Sequence, residues 1–102
     1  MKTNLLLIAL FFAAVACGAE GTVTYRIGSC DYFVVQSSTG YAVLEWYGGY
    51  DPDKGDSVVG GFTSYGMKTV YDTTADEEIK VWVEDYYLSR PKALEILTEH
   101  CE

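Results

Sequence analysis

Between Thr22 and Asp85 the chain repeatedly alternates apolar and polar residues, and each run stops at Gly, Asp, Ser or Thr. A period of two belongs to a strand with one buried face, because successive side chains leave the backbone on opposite sides. In TVTYRI the pattern sets Val23, Tyr25 and Ile27 against Thr22, Thr24 and Arg26. DYFVVQ sets Phe33 and Val35 inward, with Tyr32, Val34 and Gln36 opposite. After a Ser-Ser-Thr-Gly turn, YAVLEWY sets Ala42, Leu44 and Trp46 against Tyr41, Val43, Glu45 and Tyr47. IKVWVED is the most regular run, with Ile79, Val81 and Val83 opposite Lys80, Trp82 and Glu84. GDSVVGGF and MKTVYD read as two further short strands.

Five or six short strands at hairpin spacing predict a mainly β domain: a small antiparallel barrel or tightly curled sheet. The ten glycines fit that expectation, since bulges and corners in a small barrel need residues without a Cβ. The run Gly55-Asp56-Ser57-Val58-Val59-Gly60 resembles strands of SH3-like and OB-like barrels, a likeness of fold that carries no function. The period changes in SRPKALEILTEH, where Leu94, Leu97 and Cys101 recur at helical spacing with Ala93 and Ile96 alongside. Ser89 is a suitable N-cap and Pro91 falls in the first turn, where a missing N–H costs little. One C-terminal helix over 89–100 is expected to lay its Leu94–Leu97 stripe on the barrel.

The first nineteen residues have the layout of a secretory signal: Lys2, an apolar run from Leu5 to Val15, then small residues. The run is shorter than the ~20 residues of a membrane span. Ala14-Val15-Ala16 before Cys17 fits a signal-peptidase site, and cleavage after Ala19 is an alternative. Ala-Val-Ala-Cys also resembles a bacterial lipobox, with Ala14 where lipoboxes carry Leu, which would make Cys17 a lipid-bearing membrane anchor. Residues 20–102 then form a single domain. With Cys17 lipidated or removed, Cys30 and Cys101 remain, and export favours their oxidation to one disulfide. A zinc site from Cys30, His100 and Cys101 is the alternative, but it lacks a fourth ligand and a recognisable spacing.

The formal charge is −8, and losing Lys2 with the leader makes it about −9. So acidic a chain repels phosphate backbones, which argues against nucleic acid as a partner and for a cationic one if charge is used in recognition. The sequence lacks a nucleophile elbow, an H-E-x-x-H pair and a phosphate-binding glycine loop. Glu84 and Asp72 are a candidate carboxylate pair for glycosidase-type chemistry. Without a stronger catalytic motif, the expectation is a protein that is not an enzyme and that needs no cofactor.

The segment EWYGGYDPDKGDSVVGGF, residues 45–62, concentrates aromatics, glycines and aspartates. Asp51, Asp53 and Asp56 lie close together, yet an EF-hand register from Asp51 puts Gly55 and Phe62 where ligands belong. A turn is expected, with Pro52 setting φ and Gly55 left-handed, and no metal site is assigned. A calcium site outside the EF-hand pattern would need Asp72, Asp76, Glu77 or Glu78 to approach in space. Trp82, Tyr47 and Tyr50 fall outside the expected inward set. If one sheet face is open, these rings and the 51–56 aspartates form a candidate binding platform for a glycan or another protein. A second expectation is an acidic inhibitor of a cationic secreted enzyme such as a lysozyme.

Overall fold

The computed structural model describes residues 18–101. Residues 1–17, which hold most of the leader and the lipid site at Cys17, lie outside the described residues. The described chain is a closed six-stranded antiparallel barrel in the order β1-β2-β3-β6-β5-β4, followed by one helix. The strands are β1 (Ala19–Arg26), β2 (Tyr32–Ser37), β3 (Gly40–Gly49), β4 (Ser57–Gly60), β5 (Gly66–Asp72) and β6 (Glu77–Leu88). Closure comes from β4 pairing with β1, from Ala19 opposite Gly60 to Thr22 opposite Ser57. Among the described residues each strand therefore has a neighbour on both sides.

The alternation places the core as expected. Phe33, Val35, Leu44, Ile79, Val81 and Val83 fill the barrel with no exposed surface, joined by Val58, Val70 and Phe62. Burying each such side chain is worth roughly 1.5–3 kcal/mol. Trp46 packs against this core from its rim, and its indole N–H donates to the Tyr50 carbonyl at 3.0 Å.

One run departs from the alternation. The β1–β2 register shifts between Val23 and Tyr25, so Val23 pairs with Val35 and Tyr25 with Val34. The extra residue reverses the inward and outward sides of the strand. Tyr25 turns outward toward the helix, and Arg26 turns inward, its guanidinium 5.1 Å from the Phe33 ring centre. Ile27, expected inside, lies past the strand end and is exposed.

Helix α1 (Arg90–His100) starts as the sequence predicts. Ser89 caps it, its hydroxyl accepting the Lys92 N–H at 3.3 Å, and Pro91 occupies the first turn. The buried face differs by one position: Ala93 and Leu97 are fully covered, while Leu94 and Ile96 flank them half-buried. A methyl group at the contact lets the helix backbone come close to Val34 and Val43, the outward valines of β2 and β3. The helix ends in a disulfide between Cys101 and Cys30, whose Cα atoms are 5.5 Å apart.

That bridge spans a sequence separation of 71 residues, a long loop in the unfolded chain. In the chain-entropy account it contributes about 4 kcal/mol. Replacing both cysteines with serine is expected to lower the calorimetric melting temperature by roughly 20 °C for a domain of this size. A shift of a degree or two would show that the bridge carries little of the stability.

Candidate binding face

The outer surface of β2, β3, β6 and β5 is divided by where α1 ends. Under the helix the wall is Val34 and Val43. Beyond it, direct cross-strand pairing lines up Tyr32, Glu45, Trp82 and Met67, one residue from each strand. Strands sit about 4.8 Å apart, so the row is roughly 14 Å long. Trp82 is 39 % and Met67 45 % exposed, and Tyr47, two residues beyond Glu45 on the same face, is 56 % exposed. Lys80, two residues before Trp82, carries a positive charge at the side of the row away from Glu84.

At the helix end the row runs into a cleft of about 540 Å³ lined by Cys30, Asp31, Tyr32, Glu45, His100 and Cys101 among others. The His100 ring stacks on Tyr32, centroids 4.1 Å apart and planes within 12°. His100 Nε2 lies 3.8 Å from Glu84, and the Tyr32 hydroxyl donates to Glu45 Oε1 at 3.1 Å. Burial, the hydrogen bond to Glu45 and the charges of Glu45 and Glu84 push the Tyr32 phenol up to about 12. The cleft is therefore aromatic, with a negative field.

The predicted contact residues separate into two groups. Trp82 and Tyr47 are exposed and share this wall. Tyr50 is not part of it: the residue is half-buried against the barrel core, and its N–H donates to the Glu78 carbonyl at 3.0 Å. It closes the barrel end, because the chain leaves β3 at Gly49, whose φ is +79° and where a Cβ would lie 2.6 Å from the Glu78 carbonyl oxygen. The aspartates lie in the following turn. Asp51 is ion-paired with Arg26, and Asp53 is exposed. Asp56 is no surface contact either: it is 7 % exposed, and its carboxylate accepts the Asp53 N–H at 3.1 Å. The turn itself is as expected, with Pro52 buried and Gly55 at φ +98°.

Asp56 instead faces Asp72, which is fully buried. Asp72 Oδ1 accepts the Ala75 N–H at 2.9 Å, while Oδ2 has no hydrogen-bond partner among the described residues while both carboxyls act as acceptors. A proton on Asp72 donated toward Asp56 satisfies both groups. Burial first, then this hydrogen bond, raises the Asp72 carboxyl to about 6.

Other sequence-derived candidates are not assembled. Asp72 and Glu84 do not meet: Asp72 pairs with Glu77, and Glu84 is seven residues farther along β6, roughly 20 Å away. The zinc alternative fails because both cysteine sulfurs are in the bridge. Among the described residues, no three His, Cys, Asp or Glu side chains converge to hold a metal ion. Among the same residues, no helix is long and apolar enough to cross a membrane.

Sequence reasoning missed Tyr32, Glu45 and His100 as members of one site. The outward positions of Tyr32 and Glu45 were legible, but their direct pairing depended on register. The fold and wall define a class: a small closed β-barrel with a disulfide-fastened helix and an open aromatic–acidic face. Comparison with known proteins returns no matching family model, curated protein or solved structure.

The Asp72 proton gives a pH prediction. Its folded value is raised from 3.8 to about 6, so its contribution to stability is complete below about pH 4 and is lost as pH rises through 6. Melting curves between pH 4 and 8 are expected to show a decline that Asp72→Asn flattens. An unchanged profile in that variant would assign the decline to other groups.

Proposed function

We propose that the chain is a small exported, non-catalytic binding module that engages a glycan or protein through the wall around Trp82 and Tyr47. The observation that carries this reading is that these rings stay open on the outside of a filled barrel. Val81 and Val83 on either side of Trp82 fill the core, whereas the indole lies outside in line with Met67 and Glu45. Large rings on rigid strands, beside carboxylates, offer apolar area at little entropic cost.

Export draws support from the Cys30–Cys101 bridge, which persists in oxidising compartments, together with the leader pattern. A periplasmic or secreted location follows from that reading. Ala19 pairs with Gly60 and packs on the barrel core, which supports processing before Cys17 over processing after Ala19. Lipid on Cys17 would then tether the domain to a membrane two residues ahead of β1. A second reading, an inhibitor of a cationic secreted enzyme such as lysozyme, rests on the net charge of −8 and the acidic cleft.

Trp82→Ala is expected to change the melting temperature by only a few degrees while abolishing binding to any ligand found by screening a glycan array and a panel of basic secreted proteins. Retained binding would move the site off this wall. For the inhibitor reading, a lysozyme assay should show inhibition at low salt that weakens at high salt. No inhibition at either ionic strength ends it. Intact mass of the protein from its native host, before and after reduction, is expected to show a chain starting at Cys17 and a two-dalton gain. A chain starting at Glu20 would refute the processing site.

A further inference from the structure

Building on the binding-module reading, we infer that the wall receives a basic, partly apolar polypeptide segment of a partner protein, with one arginine side chain seated in the cleft beside Tyr32 and Glu45. The cleft supplies what a guanidinium needs. Glu45 gives one carboxylate oxygen to the Tyr32 hydroxyl, and Oε2 has no donor among the described residues. Neither Glu45 nor Asp31 is within ion-pair reach of a lysine or arginine among the described residues. Glu84 adds a further negative charge, with only the His100 ring 3.8 Å away. His100 already covers one face of Tyr32, so the cleft selects by its carboxylates, and a planar guanidinium with its fork of donors pairs with a carboxylate better than an ammonium does.

The rest of the row selects the segment's other residues. Trp82 and Met67 extend the surface away from the cleft by two strand spacings and carry no charge. An apolar side chain lies there when an arginine enters the cleft. Lys80 at the far side of Trp82 discourages a second cation in that position and favours a single basic anchor. A neutral glycan gains nothing from the field at Tyr32, and a phosphorylated or sulfated ligand is repelled by Glu45 and Glu84.

The test is a two-dimensional amide NMR titration of the mature protein with three probes: a capped leucine–arginine hexapeptide, its leucine–glutamine counterpart, and chitohexaose. The arginine peptide is expected to shift residues 31, 32, 45, 82 and 100, with affinity that falls as salt rises. Glu45→Gln, which still accepts the Tyr32 hydroxyl, should weaken binding by about three- to fivefold. Glu95→Gln, the same charge change on the far side of the helix, should leave it unaltered. Equal weakening by both variants, or equal binding of the glutamine peptide, overturns the arginine anchor. If chitohexaose shifts Trp82 and the arginine peptide shifts nothing, the binding module stands and its occupant is not a basic segment. If no probe perturbs the wall, both readings fall.

Discussion

The disulfide between Cys101 and Cys30 fastens the end of the helix to the barrel, and much of the surface follows from that position. Cys30 lies in the turn between β1 and β2, so the bridge holds the last turn of α1 against the start of β2. Ala93 and Leu97 then cover Val34 and Val43, and nothing of the helix reaches Trp82. The same end brings His100 onto the Tyr32 ring. One covalent constraint thus separates a covered half of the wall from an open half and builds the cleft at their boundary.

The barrel interior and the barrel end have different chemistry. The interior is apolar and filled by residues of β1 to β6 together with Phe62 from the β4–β5 connection. The end near residues 50–56 is polar, and it is closed by a buried carboxyl pair, Asp56 and Asp72, and by Tyr50. Three of the aspartates that look like ligands in the sequence are structural here. One is used by Arg26, one is buried in its own turn, and Asp72 lies fully buried at the end of β5. The candidate contact surface lies elsewhere, where rings rather than carboxylates dominate and acidic groups fringe one side.

Period-two alternation was enough to separate the inward residues of β2, β3 and β6 from the outward ones, because successive side chains of a strand leave on opposite faces. It failed on β1, where the bulge after Val23 reversed Tyr25 and Arg26. A bulge adds a residue without changing composition, so nothing local announces it. Tyr50 was misplaced for a related reason. It follows Gly48-Gly49, where the strand pattern ends, and the left-handed turn at Gly49 swings it back onto the core.

The sequence by itself determined the strand set, the helix start at Ser89 and Pro91, the cysteine pair, and the outward position of Trp82 and Tyr47. Each rests on local periodicity, cap chemistry or residue count. Only the tertiary structure decided that the barrel closes, that Asp56 meets Asp72, and that Tyr32, Glu45, Trp82 and Met67 form one row. Those facts depend on strand order and register, and register joins residues far apart in the chain through backbone hydrogen bonds that carry no side-chain signature.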